Sequence, residues 1–345
     1  MVNNMNNKKK LYEFSNKIKS SGQESIEEVA KDYYKEGAKL YGPKPLNYLE
    51  GRRDIVNKFW KPFLNGFPDA QKNDYILFGG SYDAEEWVCE TGHFVGTFEN
   101  DWLDIPATGR TAWVRFGEFN RLEDNMIVET RIILDLLDLM RQAGCLFFSS
   151  LAPEAISPGP ATRDGVLLEE SNNERTEKTL KLVEGMLFDG LASFGDEGLR
   201  GMGMEDYWRE DMMWYGPCGI GTTRGINDFQ GYVQGPLLKA FPDRNVERSN
   251  SVARFADGNY CGLASWSSFN ANHSGDGWLG LPATGEEVNL HLMDFWRREG
   301  DLLAENWVLI DMIDLLSQIN VDVFERLREG RYFVTNISSN SKEIK

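Results

Sequence analysis

The sequence predicts an α+β protein built from two tandem copies of one module, each a curved antiparallel sheet with helices over one face. Two observations support this prediction. The same short motifs occur in the same order in both halves of the 345-residue chain. Within each half, helical periodicity comes first and a run of strand patterns follows, which is typical of an α+β layer arrangement.

Four motifs define the repeat. A Phe-Pro-Asp turn begins at Phe67 and again at Phe241, and three further motifs recur 176 residues apart. These are Pro-Ala-Thr-Gly at Pro106 and Pro282, Phe-x-Arg at Phe119 and Phe295, and Asp-x-x-Asp at Asp135 and Asp311. A period of this length indicates a duplicated domain, because solenoid repeats cycle every ~20–50 residues.

Module 1 is predicted over residues 23–148 and module 2 over residues 174–334. Residues 149–173 join the modules and are rich in Pro, Ser, Gly and acidic side chains, a composition typical of a linker. The chain ends, before about residue 22 and after about residue 335, are polar, and we expect them to be frayed.

Each module is predicted to begin with helices, to continue with strands and to close with a short helix near Asp135 or Asp311. The predicted helices are residues 26–41 and 53–64 in module 1, and residues 176–191 and 226–241 in module 2. The predicted strands of module 1 are residues 75–78, 85–94, 110–121 and 127–134.

The chain carries 54 acidic and 37 basic side chains, a net charge of −17, and 41% of its residues are apolar. This composition supports folded cores, and the negative field disfavours nucleic acid or an anionic membrane as a partner. The sequence has no apolar run of the ~20 residues that span a bilayer and no signal-peptide pattern. We therefore expect a cytoplasmic location.

Metal and cofactor sites are not predicted. The four cysteines are far apart and indicate reduced thiols, and no His/Cys cluster has metal-ligand spacing. The glycines Gly219, Gly221 and Gly225 depart from the dinucleotide fingerprint, and no phosphate-binding loop motif is present.

Strand periodicity gives each module one mixed face and one nearly apolar face. The mixed face carries Glu129 and Arg131 in module 1 and Glu305 and Trp307 in module 2. We expect it to line a pocket for a small apolar or aromatic molecule. The apolar faces are expected to join the modules as an internal pseudo-dimer, and further oligomerisation stays open. A β-bulge would move the side chains beyond it to the opposite sheet face and so reverse the assignment of pocket and interface faces.

Further substrate-binding candidates lie on or near the preceding strands. They are Trp113, Arg115 and Arg121 in module 1 and Trp278, His291 and Arg297 in module 2. The tryptophans are also consistent with a core role. Arg121 and Arg297 have a structural alternative, which we favour: pairing with Glu129 and Glu305 on the adjacent strand.

Asp135 and Asp311 are the main catalytic candidates. Each follows a strand and has apolar neighbours, so burial would raise the pKa of its carboxyl and suit it to acid–base catalysis. Each also begins an Asp-x-x-Asp pattern ahead of a helix, which predicts an N-cap and is favoured by spacing alone. His93 and His273 are candidates for relaying a proton or binding a carbonyl oxygen, or are simply polar strand residues.

Taken together, these motifs resemble the SnoaL-like polyketide cyclases, whose pattern is P-x-T-G-[RK], F-x-R, E-H-W-x-x-x-D and L-L-x-Q-L-G. Module 1 matches between Pro106 and Gly144, and module 2 matches between Pro282 and Gln318. The resemblance implies the cone-shaped α+β fold of the nuclear transport factor 2-like superfamily, with a deep apolar cavity. It also implies an intramolecular aldol condensation without metal or cofactor, in which Asp135 and Asp311 act as general acid–base.

Whether one or both modules are catalytic stays open, and if only one is, departures from the pattern favour module 2. The family histidine is replaced by Thr130 in module 1 and Asn306 in module 2. Arg131 replaces the family tryptophan in module 1, where it could pair with Asp135. Module 2 retains the matching residues His273, Trp307 and Asp311.

Three functions therefore stay open. The first is an aldol-type cyclase, isomerase or lyase in which Asp311, and also Asp135, shuttles the proton. The second is an epoxide hydrolase on the same fold, which needs an additional Asp/Arg pair such as Asp135 with Arg131. The third is a non-catalytic small-molecule-binding protein, which exposed aspartates and the lack of a cavity would support.

Overall fold

The computed structural model describes residues 2–191, 198–244 and 250–334. In module 1, helix α3 (Arg52–Ile55), a π turn over Val56–Trp60 and helix α4 (Lys61–Gly66) form one continuous rod. The helices are α1 (Val2–Ile18), α2 (Ile26–Tyr33), α3 (Arg52–Ile55), α4 (Lys61–Gly66) and α5 (Leu136–Gln142). The strands are β1 (Tyr34–Tyr41), β2 (Tyr48–Glu50), β3 (Gln71–Tyr82), β4 (Glu85–Thr97), β5 (Thr111–Glu123), β6 (Met126–Leu134) and β7 (Cys145–Leu146).

Module 2 repeats this order, and π turns cover Met186–Gly190 and Gln230–Gln234. Its helices are α6 (Asn173–Gly185), α7 (Met204–Tyr207), α8 (Gly225–Phe229), α9 (Gly235–Ala240), α10 (Met312–Gln318) and α11 (Val323–Arg328). Its strands are β8 (Trp208–Tyr215), β9 (Thr222–Arg224), β10 (Ser251–Asp257), β11 (Tyr260–Ser265), β12 (Asn270–Asn272), β13 (Glu287–Asn289), β14 (Leu292–Glu299), β15 (Leu302–Ile310) and β16 (Phe333–Val334). Short 3-10 turns cover Gly198–Met202 and Trp278–Gly280.

Each module contains a six-stranded sheet of the same topology, in the order β2-β1-β6-β5-β4-β3 and β9-β8-β15-β14-β11-β10. The sheets are mixed rather than purely antiparallel, because β1 runs parallel to β6 and β8 runs parallel to β15. The predicted helix over residues 26–41 is accordingly too long, since it ends at Tyr33. Buried Ala38 and Leu40 alternate with exposed neighbours in β1, which is a strand signal.

The two sheets pack face to face, which confirms the predicted pseudo-dimer. The contact is a cluster of buried apolar side chains from both modules. It includes Phe78, Phe119 and Ile133 from module 1 and Phe255, Phe295, Trp307 and Leu309 from module 2. Glycines allow the close approach, because a Cβ on Gly117 would lie 2.9 Å from Leu309 Cδ1 and one on Gly262 would lie 3.0 Å from Cys89 Sγ.

The predicted assignment of sheet faces is reversed in the structure. Trp307 and Leu309 face the other module, whereas the alternating residues Val308 and Ile310 face the helices of their own module. The mixed faces therefore meet at the module interface, and the more apolar faces line the module interiors. A register shift in β5–β6 after Arg121, and its counterpart in β14–β15, adds a bulge to each sheet.

The amino-terminal segment is not frayed as predicted. It forms helix α1, whose Leu11, Phe14 and Ile18 side chains are fully buried. Phe14 stacks on Tyr33 at 4.6 Å between ring centroids. The polar composition of α1 does not mark it as exposed, because Asn7, Lys8 and Ser15 are buried as well. The fraying predicted after residue 335 lies outside the described residues.

The segment that joins the modules is packed between them. Leu151 donates its backbone N–H to the Gly219 carbonyl of module 2 at 3.1 Å. Farther along, Leu77 of β3 donates its backbone N–H to the Gly165 carbonyl at 2.9 Å. These bonds tie the segment to both modules, so it helps to fix how the modules sit against each other.

Candidate functional site

A cavity of about 190 Å³ lies between the inner face of the module 2 sheet and the module 2 helices. Aromatic side chains form much of its wall, and polar side chains reach it at few positions. The aromatic lining residues are Trp208, Trp214, Trp278, Trp296, Phe188, Phe229 and Phe269. The polar lining residues are Gln234, Arg244, Ser251, Ser265, Ser268, Asp294 and Asn306. This composition is typical of a small-molecule pocket.

Strands β14 and β15 position the polar pair of the cavity. Side chains alternate along a strand, so Asp294 and Trp296 of β14 share the inner face. In the antiparallel register, Trp296 stands opposite Asn306 of β15. Asn306 is thereby diagonal to Asp294, within reach of a side-chain hydrogen bond.

Asp294 and Asn306 form a buried carboxyl–amide pair. Asn306 donates from Nδ2 to Asp294 Oδ1 at 3.1 Å and to the Phe295 carbonyl at 3.2 Å. Burial raises the pKa of Asp294 to about 7, and the hydrogen bond from Asn306 opposes this shift. A carboxyl that titrates near neutral pH can both accept and return a proton, as acid–base catalysis requires.

The interior of module 1 contains an ion cluster at the corresponding place. Glu118 lies 176 residues before Asp294. Lys72 Nζ lies 2.7 Å from Glu90 Oε1 and 2.9 Å from Glu118 Oε2, and all three side chains are almost completely buried. Burial lowers the pKa of Lys72, but the charges of Glu118, Glu90 and Asp74 outweigh burial and raise it. The equivalent acid of module 1 is therefore paired with a buried cation.

Asp135 and Asp311 lie outside the cavity lining and are helix N-caps, as their spacing predicts. Asp135 Oδ1 accepts from the Asp138 N–H at 3.1 Å, and Asp311 Oδ1 accepts from the Asp314 N–H at 3.0 Å. Both are buried, and burial is the main cause that raises the pKa of each to about 7. Asp135 Oδ2 also accepts from the Cys218 N–H of module 2 at 2.8 Å.

The structure brings the other module 1 candidates together at the module interface. Asp135, His93, Trp113 and Arg115 line a crevice of about 10 Å³, which is room for about one water molecule. The Arg115 guanidinium donates to the carbonyls of Gly216 and Tyr215 at 2.7 and 3.0 Å. Burial lowers the pKa of His93 to about 3. This crevice is too small for an organic substrate.

Three further candidates have structural contacts instead of pocket positions. Trp307 lies in the module interface, where its indole donates to the Pro158 carbonyl at 2.8 Å. Arg297 pairs with Glu305, the partner that strand pairing predicts. Arg121 lies 3.9 Å from Glu129 and pairs more closely with Glu123 at 2.8 Å.

Arg131 does not pair with Asp135. Its guanidinium contacts Glu129 at 2.8 Å and lies over the rings of Tyr41 and Trp266 at 4.2 and 5.0 Å. The Asp135–Arg131 pair that would support epoxide hydrolysis is therefore not formed. The Arg131 side chain has this orientation because it lies on the sheet face that points to the other module.

The two module 2 histidines also lie outside the cavity lining. His291 stacks on Trp266 at 5.3 Å between centroids. His273 is fully buried, with Nδ1 3.1 Å from Thr284 Oγ1 and its ring 5.3 Å from Phe241. Phe241 in turn contacts Trp278, which is part of the cavity lining. His273 thus supports the aromatic wall from behind.

Replacing Asp135 by alanine should lower the free energy of unfolding by about 2 kcal/mol, because two backbone N–H groups lose their acceptor. Urea denaturation measures this change. Asp322→Ala is the matched control, since Asp322 caps helix α11 from an exposed position with one bond at 2.8 Å to the Glu325 N–H. An Asp135→Ala loss no larger than the control loss would contradict a cross-module role for Asp135.

Sequence reasoning missed Asp294 and undervalued Asn306. Asn306 stands where the family pattern has histidine, and this departure was the available signal. Asp294 lies between Met293 and Phe295, so an acid within an apolar strand was a second signal. Both were missed because the sequence analysis placed the opposite sheet face in the pocket.

Within residues 2–191, 198–244 and 250–334, no group of three His, Cys, Asp or Glu side chains is arranged to hold a metal ion. None of the helices in the described part of the chain combines the length and apolar character needed to cross a bilayer.

Several solved structures are similar to parts of this chain. A SnoaL-like protein from Jannaschia sp. CCS1 has 17% identity, covers 40% of this chain and 90% of its own, and has a TM-score of 0.33. AclR from Streptomyces galilaeus has 24% identity, covers 42% of this chain and 97% of its own, and has a TM-score of 0.34. IdmH from Streptomyces antibioticus has 17% identity, coverage of 41% and 99%, and a TM-score of 0.33.

No curated protein matches the chain. A family model described as SnoaL-like polyketide cyclase matches it twice, over residues 11–143 and 201–319. The two matches cover more than half of the chain and correspond to the two modules seen in the structure. The chain therefore belongs to the SnoaL-like polyketide cyclase family and carries the family module in two copies.

Proposed function

We propose that module 2 catalyses acid–base chemistry on a small apolar carbonyl compound, as an aldol-type cyclase, isomerase or lyase, with Asp294 as the acid–base. The observation that supports this proposal is the position of a buried carboxyl on the wall of an aromatic cavity. The family resemblance implies the same chemistry without metal or cofactor but places the aspartate elsewhere. Asp294 takes over that role here.

In the proposed reaction, ionised Asp294 takes a proton from the carbon next to a carbonyl group, which leaves an enolate. The enolate carbon then attacks a second carbonyl carbon of the same molecule, and a carbon–carbon bond forms. Protonated Asp294 returns its proton to the resulting alkoxide. The hydrogen bond from Asn306 steadies the ionised form of Asp294, and the cavity walls hold the reacting groups together.

Asp311 and Asp135 are weaker candidates for this step. Each directs a carboxylate oxygen to a helix N–H, and neither lines the cavity. The module 1 counterpart of Asp294 is Glu118, which is held by buried Lys72. The proposal therefore assigns one reaction site to each chain and a supporting role to module 1.

The proposal is tested with 1-tetralone, a two-ring ketone with one enolisable position, in D2O. NMR should show enzyme-dependent deuterium uptake next to the carbonyl. The rate should rise with pH and level off above about 7, because burial raises the pKa of Asp294 to about 7 and the ionised form is the base. A rate that rises with hydroxide without levelling off would contradict a protein base. Binding without exchange would favour the non-catalytic alternative.

A further inference from the structure

We infer that the module 2 cavity takes a neutral one- or two-ring ketone that also carries a hydroxyl group, with Trp208, Trp296 and Gln234 recognising the oxygens. This inference rests on the proposed function, because it names the substrate class of the same cavity. It adds Trp208, Trp296 and Gln234, which contact the ligand oxygens and do not themselves accept or return the proton. It follows from the size of the cavity and from polar groups of its lining.

The volume of the cavity limits the ligand to one or two rings. A cavity of roughly 150 Å³ in another protein binds benzene, whereas drug-sized pockets usually exceed ~300 Å³. The cavity of module 2, at about 190 Å³, is near the lower of these values. Its tryptophan walls favour flat rings, because aromatic faces pack best against one another in stacked or edge-to-face contacts. A cavity of this volume therefore favours one or two rings over three fused rings.

Two lining tryptophans have hydrogen-bond donors without acceptors. Trp208 and Trp296 are 4% and 2% exposed, and the indole Nε1 of each has no partner among the residues that the structure describes. An unpaired buried donor is costly, and proteins rarely leave one without a reason. Each Nε1 has less than 1 Å² of accessible surface, so the indole ring must turn before a ligand carbonyl oxygen in the cavity can accept from it. That contact would also polarise the carbonyl group for proton removal at the adjacent carbon.

Gln234 provides a third unsatisfied group on the same cavity. The buried amide contacts Met204 Sδ at 3.9 Å through Nε2, and Oε1 has no partner within the described part of the chain. A hydroxyl group satisfies either end of an amide, because it both donates and accepts. The corresponding residue of module 1, 174 positions earlier, is Trp60. The polar group at this place is thus specific to the module that has the cavity.

The charged residues of the described lining are Asp294 and Arg244, and the Asp294 carboxyl favours a neutral group near the reacting carbon. The Asp294 carboxyl lies on the β14 wall and is partly ionised at neutral pH, since burial raises its pKa to about 7. An anionic group placed against it would be repelled in a site of low dielectric constant. Ketone and hydroxyl groups are uncharged, so the Asp294 carboxylate does not repel them. They can still form the hydrogen bonds that the Trp208 and Trp296 indoles and the Gln234 amide oxygen lack.

The test measures dissociation constants by tryptophan fluorescence for a series of related ligands. The series is tetralin, 1-tetralone, the ring-hydroxylated 1-tetralones and the three-ring ketone anthrone. We expect 1-tetralone to bind about tenfold more tightly than tetralin, and the best hydroxy-1-tetralone about tenfold more tightly again. We expect anthrone to bind at least about tenfold more weakly than 1-tetralone. Equal binding of tetralin and 1-tetralone, or tight binding of anthrone, would overturn the inference.

Variants assign each preference to a residue. Trp296→Phe should reduce the preference for 1-tetralone over tetralin, and Gln234→Leu should remove the gain from the hydroxyl group. Trp307→Phe is the matched control, because Trp307 lies on the adjacent strand but faces the other module, and it should leave both ratios unchanged. Unchanged ratios in the first two variants would overturn the assignment. If the ligands bind in the expected order but deuterium exchange is absent, the proposed reaction alone is refuted. If exchange occurs but the ligands do not bind in the expected order, this inference alone is refuted.

Discussion

Replacing Asp294 by asparagine is expected to slow deuterium exchange of 1-tetralone by about 100-fold or more. The amide keeps the shape of the side chain and can still hydrogen-bond to Asn306, but it cannot accept the proton. Because a buried neutral amide replaces a buried acid, we expect the variant to fold. NMR exchange rates at pH 8, where most of the wild-type carboxyl is ionised, measure the effect most clearly.

Asp311→Asn is the decisive comparison for that variant. Asparagine is as good an N-cap as aspartate, so helix α10 should retain its first turn. If Asp294 is the base, Asp311→Asn stays close to the wild-type rate. If Asp311→Asn is the inactive variant and Asp294→Asn is active, the position implied by the family resemblance is right and our assignment is wrong.

Replacing Lys72 by methionine is expected to lower the free energy of unfolding by about 3–5 kcal/mol. Methionine fills a similar volume but leaves Glu90, Glu118 and Asp74 buried without a cation. Burial already raises the pKa of Glu90 and Asp74 in the wild-type protein. Urea denaturation at several pH values measures both the size of the loss and its dependence on protons.

The stability that Lys72→Met loses is expected to depend on pH in one direction. In Lys72→Met, the folded-state pKa values of Glu90 and Asp74 lie above the unfolded-state values, so folding takes up protons and stability is lost as the pH rises. The deficit relative to wild type should therefore be larger at pH 8 than at pH 5. Lys58→Met is the control, because the Lys58–Asp54 pair is exposed and contributes about 0–1 kcal/mol. Equal losses in the two variants would show that the buried cluster is not specially important.

The two modules share a backbone plan but have different interiors. In module 2, Asp294 lies on a cavity wall beside Asn306, whereas in module 1 the equivalent Glu118 forms an ion pair with Lys72. Phe116 lies against the same ammonium group at 4.9 Å, which adds aromatic packing to the ion cluster. We interpret module 1 as the structural copy, which leaves module 2 to bind the ligand.

Several features of this protein could be predicted from residue patterns. The 176-residue offset predicted the duplication, and alternating strands after the Phe-Pro-Asp turn predicted the central sheet. The spacing of Asp135 and Asp138 predicted an N-cap, which the structure contains. These features are local or repeated, so they depend on neighbouring residues and on backbone preferences rather than on distant packing.

The location of the site depended on tertiary structure. Both faces of each sheet are buried, one by helices and the other by the second sheet, so a period of two cannot tell which face lines the cavity. Trp307 therefore looked like a pocket residue, while Asp294 looked like an unremarkable strand residue. The packing of the two modules placed the Arg297–Glu305 pair on the interface side of the module 2 sheet and Asp294, with its partner Asn306, on the cavity side. Each buried charge has a partner there, because burial penalises a charge without one.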